Sequence, residues 1–158
     1  VVLAVVAYRG QRPAVVTAPA PPPSVAEAPI EVSQDALDRL ERTLARERAA
    51  KYLAQAQDVL VNVAAAPRDC VRGHQRVEMG DEAQRSRELL AERALVLDIE
   101  GAAVAGARPV LEDVEQVLRE VATLPDCAHL RDLQAINKDM EKRRLLMKID
   151  LMTRELVG

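Results

Sequence analysis

The sequence predicts an all-α fold, an antiparallel helical bundle of about four helices that follows a disordered Pro-rich spacer. Three observations carry this reading. Ala, Leu, Glu and Arg, all strong helix formers, dominate the chain beyond residue 33. Apolar residues there recur at steps of three and four, the helical period, rather than two. Six of the nine prolines fall between residues 13 and 32, where each removes a backbone donor and fixes φ, so neither helix nor sheet propagates. The chain has 158 residues, 49% of them hydrophobic and 30% charged, enough apolar material for the core of one domain. It has no Phe and no Trp, and its only aromatics are Tyr8 and Tyr52. The core must therefore be built from Leu, Val, Ile, Ala and Met.

Residues 1–12 read as an apolar run, Val1 to Tyr8, followed by Arg9 and Arg12. As a helix the run covers roughly 12 Å against a bilayer core of about 30 Å. It fits the last turns of a membrane-spanning helix, with Tyr8 and Arg9 at the interface. The chain opens on Val1 rather than Met, and the expectation is a piece of a longer chain, cut at the end of that helix. Residues 13–34 are then a Pro-rich linker, extended and polyproline-like, and 35–158 are the helical bundle domain.

Within the domain, Ser33 or Asp35 caps a first helix that runs to about Ala65 and stops before Pro67. Its apolar face is expected to comprise Leu37, Leu40, Leu44, Tyr52, Leu53, Ala56, Val59, Leu60 and Val63. Asp35–Arg39, Asp38–Arg42 and Glu47–Lys51 sit at i,i+4 with the acid first, the better order. Residues 67–74 form a loop. A second helix is expected from about Gln75 to Ile99, with Gly80 a weak point, Asp81 a second candidate cap, and Gly101 the stop. Pro109 suits the first turn of a third helix, striped by Leu111, Val114, Val117, Leu118 and Val121. After a turn at 125–129, a fourth helix is expected from about Leu130 to Leu156. Its stripe is wide enough to face more than one neighbour.

Net charge is −3, from 22 basic and 25 acidic residues. The signs are interleaved, and no basic face or stacking aromatics suit a nucleic-acid backbone. The two cysteines, Cys70 and Cys127, each follow a proline turn that precedes a helix. An antiparallel bundle brings the loop after the first helix and the loop after the third to one end, which permits a Cys70–Cys127 disulfide in an oxidising compartment. Free thiols are a second possibility. A third is a zinc-type set of Cys70, His74, Cys127 and His129, although the Cys-x-His spacing matches no common finger. Met140, Met147 and Met152 on the last helix read as core filling rather than a soft-metal row. Lys138, Lys142, Arg143, Arg144 and Lys148 form a basic patch, ordinarily a solvated helix face and otherwise a dock for an acidic partner. There is no phosphate loop, nucleophile elbow or His-Glu-x-x-His motif. The reading is therefore non-enzymatic, with no catalytic residues, no cofactor and no metal.

Two stretches carry a resemblance: Leu37-Asp-Arg-Leu-Glu-Arg-Thr-Leu-Ala-Arg-Glu with Tyr52-Leu-Ala-Gln-Ala-Gln-Asp-Val-Leu, and Arg143-Arg-Leu-Leu-Met-Lys-Ile-Asp-Leu-Met-Thr-Arg-Glu-Leu. With the apolar start and the proline spacer, they resemble the C-terminal, extracytoplasmic part of bacterial membrane-anchored anti-sigma factors with a zinc-finger N-terminal domain. The resemblance implies a sensory or protein-interaction domain in the periplasm, anchored by a single pass in the inner membrane. Its partner would be a protein outside the membrane, with a homodimer as a further state. A sigma factor would be reached only through an N-terminal domain that this chain does not contain. The family's zinc motif is missing here, so no zinc ligands carry over. The competing expectations are a metal-binding periplasmic helical protein and a structural helical spacer or dimeriser.

Overall fold

The computed structural model describes residues 33–65, 70, 76–97 and 103–158, without the side chains of 94–97. The expected membrane-proximal end, most of the spacer, His74 and the Gly101 stop lie outside the described residues. Among those described, no helix is long and apolar enough to cross a membrane.

The architecture is all-α, with five helices and one very short sheet among the described residues. α1 spans Gln34–Ala65, α2 Gly80–Leu97, α3 Arg108–Ala122, α4 Leu130–Arg143 and α5 Leu145–Val157. β1 (Arg76–Glu78) and β2 (Cys127–His129) form an antiparallel ribbon, and a single 3-10 turn, Ala105–Ala107, precedes α3. Ser33 caps α1 as expected, its Oγ accepting from the Ala36 amide at 3.3 Å. Pro109 lies in the first turn of α3, where a missing N–H costs nothing.

Cross-helix contacts fix the directions. Arg46 Nη2 donates to the Glu155 carbonyl at 2.7 Å, while Ala64, near the other end of α1, lines a cleft with Leu145 and Leu146. α1 and α5 are therefore antiparallel. Asn62 and Ala65 lie beside Glu78–Arg85, and Gln55 and Asp58 beside Glu88 and Glu92, so α2 runs back along α1. Arg87 Nη1 donates to the Ala122 carbonyl at 2.8 Å and Arg93 pairs with Glu115, so α3 reverses again. The core between them is aliphatic: Leu53, Leu60, Val63, Val114, Val117, Leu118, Val121, Leu133, Leu145 and Ile149 are all fully buried, and Tyr52 is almost so.

Three expectations need correction. First, the last helix is not continuous. Arg144 takes φ 52°, ψ 42°, the left-handed conformation, and its amide donates back to Glu141 and Met140. That ends α4, and α5 restarts from the Arg144 carbonyl, which accepts from the Lys148 amide at 3.1 Å. A continuous apolar stripe could not reveal this, because each half keeps the helical period on its own. Second, α2 begins at Gly80 rather than Gln75. Residues 76–78 pair instead with 127–129, in the register Arg76↔His129, Val77↔Ala128, Glu78↔Cys127. Val77 and Ala128 are the buried centres of the two strands. Gly80 is a close-approach position: a Cβ there would sit 3.2 Å from Asp126 Oδ1, and the carboxylate lies at the positive end of α2. Third, Leu37, Leu40 and Leu44 do not join the core. They are 39%, 55% and 38% exposed, and the first buried residue of α1 is Ala45.

Arg144 pays for its left-handed backbone, which costs an L-residue with a Cβ about 1 kcal/mol. Arg144→Gly should therefore raise unfolding stability by about 1 kcal/mol. Denaturant melts of the two proteins check this, and a loss of stability would show that the side chain at 144 contributes more than its backbone costs.

Candidate functional site

Two groups of polar or reactive side chains stand out, and they lie in different parts of the bundle. The first is at the end where α1 finishes. Cys70 and Cys127 are bonded to each other, with Cα atoms 6.0 Å apart. The Cys70 amide donates to the Arg76 carbonyl at 2.9 Å and the Met79 amide to the Asp126 carbonyl at 2.7 Å. The bond thus clamps Cys70 onto the β1–β2 ribbon, where it is buried. It closes a loop of 57 residues, for which the chain-entropy model gives roughly 4 kcal/mol. Both sulfurs are used, so neither is a thiolate ligand for the alternative zinc set. His129 is half-buried in β2, and His74 lies outside the described residues. No group of three or more His, Cys, Asp or Glu side chains among the described residues is arranged to hold a metal ion.

The second group lies inside the bundle, where α1, α2 and α3 meet. The Arg93 side chain is 8% exposed and pairs through Nη1 with Glu115, itself 21% exposed. Glu115 also takes Arg119 one turn on. Arg93 Nε and the Tyr52 hydroxyl are buried without a hydrogen-bond partner in the structure. Burial pushes the Tyr52 phenol up to about 12, with Arg93 partly offsetting it, and burial lowers the Arg93 guanidinium. Tyr52 therefore stays protonated at neutral pH and is not a base there. The pair was legible as a break in pattern. Arg93 falls three or four residues from Leu89, Leu90 and Leu97, in the middle of the apolar stripe of α2, and Glu115 lies likewise between Leu111 and Leu118 on α3.

The methionine row and the basic patch divide between structural roles. Met140 is buried on α4, Met147 is 52% exposed on α5, and Met152 is packed against the edge of the core. The break at Arg144 puts Met140 and Met147 on different helices, so no single row exists. Within the patch, Arg143 donates to Asp139 at 2.7 Å, and to Asp113 and Gln116 at 3.0 Å. Lys148 donates to Asp113 at 2.9 Å. Asp113 on α3 thus ties α4 and α5 together across their break. The Lys148 and Arg143 hydrogen bonds hold its carboxyl below the usual carboxylate range, against the opposing effect of burial. Lys138, Lys142 and Arg144 make no ion pair with a described residue.

No family model, no curated protein and no solved structure matches the chain.

Three outcomes follow from these groups. Glu115→Leu alone should cost about 2–4 kcal/mol by leaving the buried guanidinium uncompensated, whereas Arg93→Met with Glu115→Leu should lie within about 1 kcal/mol of the parent. A double-mutant cycle in denaturant reads both, and equal losses in the single and double variants would remove the pair from the account. The fold favours the protonated Tyr52, so its contribution is complete below the ordinary tyrosine value of about 10 and is lost as pH rises through about 12. In a Tyr8→Phe chain, phenolate absorbance should therefore appear near pH 12 together with loss of helix. A midpoint near 10 with helix intact would refute the burial. Asp113 behaves oppositely. Its depressed value contributes stability above about pH 4 that is lost as pH falls through the lower folded value. Asp113→Asn should lower stability by about 1 kcal/mol at neutral pH, and the gap should close on acidification. A gap that is constant with pH would mean the effect is not ionic.

Proposed function

We propose that this chain is the extracytoplasmic sensory and protein-interaction domain of a bacterial membrane-anchored transcription regulator of the anti-sigma type. It acts by presenting a helical surface to a protein partner, without catalysis. The observation that carries the reading is the Cys70–Cys127 bond. Such bonds persist in oxidising compartments and are rare in the cytosol, and this one ties Cys70 to the β1–β2 ribbon. The apolar start and the proline spacer at residues 13–34 support an anchor and a stalk that hold the domain away from a bilayer. The sigma factor would be bound by a separate domain on the other side of the membrane, and this chain would set the state of that domain through partner binding or through bundle stability.

The test is the state of the cysteines and the reach of a protease in the producing cell. Alkylation with a mass tag, before any reductant is added, should label neither Cys70 nor Cys127. Protease added to spheroplasts should cut the domain, while intact cells protect it. Removal of residues 33–158 from the anchored protein should change transcription from the regulated promoter. Two freely labelled thiols in a domain that spheroplasts protect would place it in the cytoplasm and end this reading.

A further inference from the structure

The break between α4 and α5 carries a side chain that the described fold does not use. Arg144 is the only described residue with a positive φ. Helix ends of this shape ordinarily carry glycine, which takes the left-handed conformation without a Cβ penalty. Other residues held there cost stability, and they cluster at ligand sites. Arg143 and Lys148, on either side of it, both donate to Asp113. Arg144 is exposed and makes no ion pair with a described residue. Instead it lines a cleft of about 260 Å³, just under the usual range for small-molecule sites, so an occupant must be small. The walls are mostly apolar, with Met140, Leu146 and Met147 among them, and Met147 is 52% exposed. The rim holds one charge of each sign. Glu141 lines the cleft about one turn before Arg144. It is exposed and likewise makes no ion pair with a described residue, Arg144 included. Asn137, a further turn back, lines it too, and its Oδ1 is buried without a hydrogen-bond partner among the described residues.

We infer that this cleft binds a free α-amino acid with an aliphatic side chain, such as leucine. Arg144 takes the carboxylate, Glu141 takes the ammonium, and Met140, Leu146 and Met147 take the side chain. Charge selects this occupant. An aliphatic carboxylate would satisfy Arg144 but meet repulsion from Glu141, and an aliphatic amine would do the reverse. The last residue of a peptide offers a carboxylate without an ammonium, and the first an ammonium without a carboxylate. Only the free amino acid sets both charges beside one apolar side chain, as the cleft sets Glu141 and Arg144 beside its apolar walls. Turning the Asn137 amide about χ2 would give its oxygen a proton of the same ammonium. Charge-assisted hydrogen bonds fix the orientation of the ligand. Both rim charges are solvent-exposed, which limits their strength, so the dissociation constant is on the order of 0.1–1 mM. The bound ligand would cover Met147 and bridge α4 to α5 across their break. Such binding requires neither the compartment nor the protein partner proposed above.

Titration of the isotope-labelled full chain with L-leucine, to about 20 mM, should give saturable amide NMR shifts centred on residues 137–147. L-Serine lacks the aliphatic chain, and isocaproate and isoamylamine each lack one of the two charges. All three should bind at least tenfold more weakly than leucine. Arg144→Gly keeps the left-handed turn without its backbone cost, so its thermal midpoint should not fall, yet its leucine affinity should drop at least tenfold. Glu141→Gln should weaken leucine several-fold and tighten isocaproate, because the repulsion is gone. The absence of a saturable shift with leucine would overturn the inference. So would full leucine affinity in Arg144→Gly. Isocaproate binding the parent chain as tightly as leucine would also overturn it, in favour of an apolar slot that does not read the ammonium.

Discussion

The described fold hangs on the burial of one face of α1 between Ala45 and Val63. α2, α3, α4 and α5 all contact that helix, and the residues it contributes are small or aliphatic apart from Tyr52. A core with a single aromatic among the described residues cannot rely on large flat side chains to fill space. It relies on close approach, and the alanines at 45, 49, 50 and 56 allow it. Each lost methylene in such a core leaves a void that neighbouring short side chains are poorly able to close. α1 is also the longest helix, at 32 residues, so the other helices find their places along it rather than around a common centre.

An apolar interface of this kind fixes burial more strongly than register, because one small aliphatic residue substitutes easily for another. The polar groups restrict it. Arg93 and Glu115 can satisfy each other at only one offset of α2 against α3, and Arg87 adds a second check at the Ala122 carbonyl. Asp113 does the same for α4 and α5, holding two separate helices at one point. These groups contribute less to stability than the apolar contacts around them. Their effect is to make misaligned packings worse, since a slipped bundle would bury a charge alone.

Much of the helical fold was legible in the sequence, because each helix advertises itself locally. Ser33, Pro109 and the stripe from Leu111 to Val121 sit where the structure uses them. Placing two loops at one end of an antiparallel bundle permitted a Cys70–Cys127 bond but left free thiols and a zinc set open beside it, and the structure has the two sulfurs joined. What escaped was either too short or dependent on distant parts of the chain. Three-residue strands such as Arg76–Glu78 offer no period to detect, and they exist because residues 127–129 lie alongside. The left-handed residue at Arg144 has no Gly or Asn to announce it. Leu37, Leu40 and Leu44 were grouped with the core because steps of three and four look continuous, yet the jump of eight from Leu44 to Tyr52 rotates the stripe. Arg93 and Glu115 were visible as charges within apolar stripes, but neither sequence position names its partner.

The placement of the disulfide has a mechanical consequence. It lies at the end of the bundle where α1 finishes, while the chain enters the described fold at the opposite end, through Ser33. A pull between Ser33 and Gly158 would peel α5 away from α1 from that entry end, since the two run antiparallel and the α5 C-terminus lies beside the first half of α1, at Arg46. Once that contact failed, everything between Cys70 and Cys127 would remain a closed loop. The 57-residue separation spanned by the bond would thus be withheld from the extending chain, roughly 190 Å at full extension. Under tension the domain would yield in a short, defined step and retain a covalently gathered middle from which the bundle could reassemble when the load is released.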